Sequence, residues 1–156
     1  MPETQPNLAI LQARLSDVPI GLPAFAVRTI VRAAEITPLA GAPRIIEGTV
    51  NLHGTAVPVV DLRYRFGMPA VPLAPDQVFI VLDTLARTIV VRVDDVDDVI
   101  EISRTDLGAP DALSPVLRGL VGVAPLESGA LVIYDVDAFL TQAEREALDH
   151  VSPVAL

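Results

Sequence analysis

Glu47-Gly48-Thr49-Val50-Asn51-Leu52-His53-Gly54-Thr55-Ala56-Val57-Pro58-Val59-Val60-Asp61-Leu62-Arg63-Tyr64-Arg65-Phe66-Gly67-Met68-Pro69 carries the local grammar that decides the fold of this chain. Two short runs rich in Val and Thr flank His53-Gly54, which suits a tight turn, so strands are expected over Glu47–Leu52 and Ala56–Val60. Asp61 interrupts the apolar run. Its carboxylate can accept hydrogen bonds from the free N–H groups that open a helix, and Gly67 and Pro69 then stop that helix promptly. Gly48, Pro58, Asp61 and Gly67 are therefore read as structural positions.

The same grammar extends outward. Further strands are expected at Leu8–Leu15, Val78–Asp83, Thr88–Val93, Val96–Ile102, Leu120–Pro125 and Ala130–Tyr134, separated by turns among 14 prolines and nine glycines. Some runs are apolar on both faces, so the sheets should pack against each other. Val57, Val59, Ile80, Leu82, Val91, Ile133 and Phe139 are candidate core. Pro23–Ala34 fits a short helix or a strand. A helix is expected from Asp135 to about His150, with Val136, Phe139, Leu140, Ala143, Ala147 and Leu148 as its apolar stripe and Asp135 or Asp137 as its cap. Residues 1–7 and 151–156 read as tails of a single domain spanning 8–150. An internal echo matches Gly48…Gly54…Val57–Leu62 with Gly119…Gly129…Leu131–Val136, which adds Gly119 and Asp135 to the structural positions.

Composition excludes more than it assigns. With a net charge of −9, sequence-independent binding of nucleic acid is not expected. All 11 basic residues are arginine, so no P-loop, Schiff-base or general-base lysine exists. Cysteine is absent, which removes thiol chemistry, disulfides and thiolate metal sites. Apolar residues reach 51% and mean hydropathy +0.51, yet no run approaches membrane-helix length and no basic leader precedes the apolar runs. A cytoplasmic protein fits, without direct membrane insertion.

Candidate chemistry is sparse. His53 and His150 are the only histidines, and no Gly-x-Ser-x-Gly elbow surrounds any serine. Asp94-Asp95-Val96-Asp97-Asp98 lacks the alternate ligands and the glycine of a Ca²⁺ loop and reads as a solvated turn. Glu144, Glu146 and Asp149 read as the wet face of the last helix. Arg63 and Arg65 are placed on an exposed turn, where they could meet an acidic partner. Neither a catalytic residue nor a cofactor or metal site is assigned. The apolar fraction is high for a small domain, which hints at apolar surface left for partners.

The quoted stretch resembles the core of the CheW-like adaptor domain of bacterial chemosensory systems. Thr37-Pro38-Leu39-Ala40-Gly41-Ala42-Pro43, Arg92–Val96 and Leu117-Arg118-Gly119-Leu120 are similar to further family segments in the right order. The resemblance runs from about Leu8 to Leu140. It implies an all-β fold of two small five-stranded SH3-like barrel lobes sharing a hydrophobic junction, with a C-terminal helix. It also implies a non-catalytic adaptor linking the cytoplasmic tips of chemoreceptors to the regulatory domain of a CheA-type histidine kinase, with other CheW-like domains as further partners. By resemblance, Val27, Thr29, Ile30, Val50, Asn51, Leu52, His53, Gly54 and Arg63 are the contact residues. The family usually has arginine at the position of His53 and glutamate at that of Thr29, a pair expected to bond, and here both are lost together. A divergent adaptor that binds receptors or other CheW-like domains without coupling to the kinase is the alternative. A small β-barrel enzyme or ligand-binding protein is a third reading.

Overall fold

The computed structural model describes residues 7–103, 105, 120–126 and 129–151; Gly119 and the Leu117–Gly119 segment lie outside them. Ten strands are seen: β1 (Leu8–Leu15), β2 (Val18–Pro23), β3 (Val27–Arg32), β4 (Ile46–Leu52), β5 (Thr55–Val60), β6 (Val78–Asp83), β7 (Thr88–Val93), β8 (Asp95–Ile102), β9 (Leu120–Leu126) and β10 (Gly129–Tyr134). They form two five-stranded sheets, ordered β8-β1-β2-β10-β9 and β3-β6-β7-β5-β4. The expected all-β, two-lobed fold is what is found.

The chain is a tandem repeat whose halves exchange hairpins. Strands β1–β5 correspond in turn to β6–β10, yet β1-β2 pairs with β8–β10 and β6-β7 pairs with β3–β5. Pairing register fixes the correspondence. Val27 and Ile30 lie opposite Leu82 and Ile80 as Val96 and Val99 lie opposite Ala13 and Leu11, with a bulge at the same step in each. An ion pair survives with its charges exchanged, Arg28 to Asp83 at 2.7 Å against Asp97 to Arg14 at 3.3 Å. The sequence echo is therefore real, with two corrections: Gly48 faces Val59 as Gly122 faces Ile133, so Gly122 rather than Gly119 is the counterpart of Gly48, and Gly129 faces Leu126 as Thr55 faces Leu52, so Gly129 matches Thr55 rather than Gly54.

Period-two alternation divides the core into three. Phe79, Val81 and Val90 turn into one lobe with Val50, Val57 and Val59. Leu8 and Ile10 turn into the other with Ile102, Ala124, Leu131 and Ile133. The opposite faces of the same four strands, with Leu11, Ala13, Leu15, Ile20, Leu22, Ile80, Leu82, Ile89, Val91 and Val93 among them, meet in the largest cluster, between the lobes. All seven candidate core residues are buried.

Local devices follow the sequence. Asp61 Oδ1 accepts from Tyr64 N at 3.1 Å and caps the short helix α1 (Leu62–Arg65), which gives way at Phe66 to Gly67 with φ +70. Gly48 has φ +152, and a Cβ there would lie 2.3 Å from the Thr37 carbonyl oxygen. That contact belongs to the Thr37↔Thr49 bridge, which ties the chain after β3 to β4 and so brings the sheet's two edges together. Pro58 has no N–H to donate, and the parallel pairing of β5 with β7 begins just past it at Val59.

Of the two readings open for Pro23–Ala34, the strand holds for β3, preceded by a 3-10 turn at Ala24–Ala26. Strand β2 was not anticipated, because two prolines and a glycine interrupt its pattern. Asp95–Asp98 lies in strand β8, not in a turn. The long final helix is instead a 3-10 turn at Val136–Ala138, its N–H at Asp137 bonded by Asp135 Oδ1 at 3.0 Å, and then α2 (Gln142–His150). Thr141 and Glu144 form a reciprocal capping box at the start of α2, so a second helix start lies inside the expected one. Val151 closes α2 by donating to the Ala147 and Leu148 carbonyls.

Ile80→Ala should cost about 2–5 kcal/mol through lost burial and a cavity, read from a denaturant melt. Asp61→Ala should cost about 0.5–2 kcal/mol and Asp61→Asn clearly less. Equal stability of all three Asp61 forms would remove the cap.

Candidate protein-interaction surface

Among the described residues strand β3 is an edge strand, paired on one side only, by β6. Arg28, Thr29, Ile30, Val31 and Arg32 are all exposed and Val27 is half-buried. Ile30 and Val31 leave 42% and 36% of their surfaces in water, unusual for β-branched residues on a strand. An unpaired ladder edge carrying apolar side chains is a site ready for a partner.

The β4–β5 hairpin offers the second element. His53 and Gly54 have φ of 53° and 88°, the left-handed pair a two-residue turn requires. Asn51 Oδ1 accepts from Gly54 N at 2.7 Å and rigidifies the turn. Asn51, His53 and Gly54 are exposed and Leu52 is half-buried. Of the nine expected contact residues, the structure presents Val27, Thr29, Ile30, Asn51, Leu52, His53 and Gly54 on these two elements.

Val50 and Arg63 are withdrawn from that surface. Val50 is buried inside a lobe, because it alternates with the exposed Asn51. Arg63 is 2% exposed and pairs with Asp94, so it is not offered to an acidic partner. Arg65 is likewise engaged, with Glu144 and with the Phe139 carbonyl. Glu144 is thus no wet-face residue, although Asp149 stays exposed while paired with Arg87.

Arg63 belongs to a polar chain that sequence reading missed. Asp94 accepts from Arg63, from Ser16 N at 2.5 Å and from Gln77 at 3.1 Å. Gln77 accepts from Arg92 at 3.0 Å, and Arg92 pairs with Glu47 at 2.6 Å. Ser16 lies in the β1–β2 turn of one lobe and the rest stands on the β6-β7 hairpin and its partners, so the network stitches the lobes together. Burial would raise the Asp94 pKa, but the bonds from Ser16 and Gln77 and the charge of Arg63 outweigh it and hold Asp94 below its usual value. Glu144 is lowered in the same way, burial opposed by Arg65 and the Thr141 N–H.

Three comparisons now bear on this geometry. Residues 9–144 match the model of the CheW-like domain. The chain is 31% identical over 140 residues to a chemotaxis protein CheW of Rhizobium meliloti, covering 88% of this chain and 90% of the relative. This chain belongs to the CheW-like domain family. A chemotaxis protein CheW of Klebsiella aerogenes is 31% identical over 76% of this chain and 72% of its own length. The crystal structure of the scaffolding protein TtCheW from Thermoanaerobacter tengcongensis superposes with a TM-score of 0.78 at 27% identity, covering 90% of this chain and 96% of that one. Against the CheW-like pattern, Thr29 and His53 occupy exposed positions on the two interaction elements. Among the described residues no helix is long and apolar enough to cross a membrane, and no group of three His, Cys, Asp or Glu is placed to hold a metal.

Lowered carboxylate pKa values stabilise the fold at neutral pH. Asp94 and Glu144 bind protons less well folded than unfolded, so their contribution is full above about pH 5 and is lost as pH falls through 3.8 and 4.5 to the lower folded values. Asp94→Asn leaves Arg63 buried without its counter-charge and should cost roughly 1–3 kcal/mol at pH 7. It should also flatten the loss of stability below about pH 4, measured by denaturation at a series of pH values. An unaltered acid limb would show that Asp94 does not carry the effect.

Proposed function

We propose that this chain is a non-catalytic chemosensory adaptor that joins chemoreceptor cytoplasmic tips to the regulatory domain of a CheA-type histidine kinase, in the cytoplasm and at receptor clusters. Membership of the CheW-like family supports the adaptor class, and one observation of this chain supports the contact surface. Edge strand β3 is exposed from Arg28 to Arg32 with Ile30 and Val31 in water, and it needs a partner to cover it. The preformed β4–β5 turn with Asn51, Leu52, His53 and Gly54 is the second contact element. Other CheW-like domains are a further class of partner.

A divergent adaptor that binds receptors without activating the kinase is favoured by Thr29 and His53. Neutral histidine lacks the permanent charge and five-donor fork of arginine, and threonine supplies no carboxylate. Since both are exposed, their identity is free to set partner choice with little effect on folding.

Ile30→Asp should leave the melting curve nearly unchanged and abolish capture by a receptor cytoplasmic fragment, because the new charge would be desolvated on docking. Retained capture would clear β3 of the role. Thr29→Glu with His53→Arg should raise kinase activation in a reconstituted receptor–kinase assay, and His53→Arg alone should do less. A parent already at full activation, with no gain in the double variant, would make the two positions neutral.

A further inference from the structure

The exchanged repeat gives the junction two ends, and the sequence treats them oppositely. One end is closed. There Glu47, Arg63, Gln77, Arg92 and Asp94 form the polar network, and the proline-containing strap from Met68 to Ala74 lies over them. The strap's backbone is satisfied from beneath: Arg92 donates to the Val71 carbonyl at 3.1 Å, and Gln77 Oε1 accepts from Ala74 N at 2.9 Å.

The other end is an open cleft of about 400 Å³. By strand register its walls are the counterparts of that network. Phe25 stands where Asp94 does, Pro23 where Arg92 does, and Leu8 where Gln77 does. Val121 replaces Glu47, and Asp137 replaces Arg63. Leu85, in the β6–β7 turn, replaces Ser16, and Leu85 N donates to Asp137 Oδ1 at 2.6 Å as Ser16 N donates to Asp94. The strand register is thus kept, while Asp94, Arg92, Gln77 and Glu47 give way to apolar residues and Arg63 to an acid. Phe25 and Leu85 stand at the rim with 82% and 95% of their surfaces in water. Among the described residues the counterpart of the strap is absent from this end, because the chain after Leu140 turns into α2.

We infer that this cleft docks an amphipathic helix from a protein partner, with its apolar face on Phe25 and Leu85 and an arginine or lysine beside Asp137. Charge sets the basic residue. Asp135 and Asp137 line the cleft and, among the described residues, accept only backbone N–H groups, and the Arg145 guanidinium donates to the Asp137 carbonyl rather than to its carboxylate. Asp83, also at the rim, is already paired with Arg28. The backbone argument sets the helix. Pro23 and Leu8 have no side-chain donor or acceptor, so a strap like that of the closed end would leave its own polar groups unpaired, whereas a helix satisfies them internally. This cleft is separate from the exposed part of β3 and from the β4–β5 turn.

The probe is a fluorescein-labelled 18-residue helical peptide with a leucine stripe and one flanking arginine, titrated with the full chain by fluorescence anisotropy. Two control peptides carry glutamine for the arginine, or a central proline that breaks the helix. The arginine helix should bind saturably and the proline peptide at least about tenfold more weakly. Phe25→Ser or Leu85→Ser should weaken binding at least about fivefold. Their melting curves should match the parent, since both side chains are already in water. Asp137→Asn keeps the acceptor for Leu85 N, and should weaken the arginine peptide by about two- to fivefold while leaving the glutamine peptide unchanged. Absence of saturable binding, equal binding of the proline peptide, or indifference to both serine variants overturns the proposal.

Discussion

Burial of the apolar undersides of β1, β2, β6 and β7 against one another is the constraint on which the rest of the molecule depends. A small five-stranded lobe encloses few side chains, and among the described residues each of these lobes has six buried apolar residues of its own. Cores of that size give little stability alone. Because hairpins are exchanged between the repeats, each strand of the four central ones presents one face to its own lobe and the other to the junction. That geometry explains why runs such as Phe79–Leu82 and Ile89–Val91 are apolar throughout, where a sheet wet on one face would alternate.

Charge is distributed to suit this plan. Arg14, Arg28, Arg63, Arg65, Arg87 and Arg92 all pair with carboxylates, and Arg145 is spent on carbonyls at the start of α2. Much of the positive charge is thus used to hold strands, turns and helices together. On β3 the exposed face sets Arg28 and Arg32 beside Thr29, Ile30 and Val31.

Pseudo-symmetry also shows where the chain departs from itself. A repeat with no further function would place similar residues at equivalent positions, and at the junction core it does, with Leu62 matched by Val136 and Ile80 by Leu11. At the two ends of the junction it does not. One end is sealed with the Arg63–Asp94 pair and a proline strap, the other is walled by Phe25 and Leu85. On β3 and the β4–β5 turn, Thr29 and His53 are exposed, and His53 holds the left-handed φ of 53° that opens the turn.

Short-range physics was legible in the chain. Val- and Thr-rich runs, the Asp61 cap, the Gly67 stop and the His53-Gly54 turn each depend on neighbours a few residues away, so eight of the ten strands and the core residues could be read directly, while the proline-broken β2 and the open reading of Pro23–Ala34 could not. The resemblance in Glu47–Pro69 supplied the family. The capping box Thr141-x-x-Glu144 was equally local and was obscured only by the longer apolar stripe around it. What tertiary structure alone decided is long-range. Whether Arg63 meets solvent depends on Asp94, 31 positions away, and on a strap folded over both. Whether Val50 or Asn51 faces outward depends on the phase of β4 within a closed lobe. Which repeat's hairpin joins which sheet leaves no trace in local pattern, because exchanged and unexchanged halves would bury the same alternating residues.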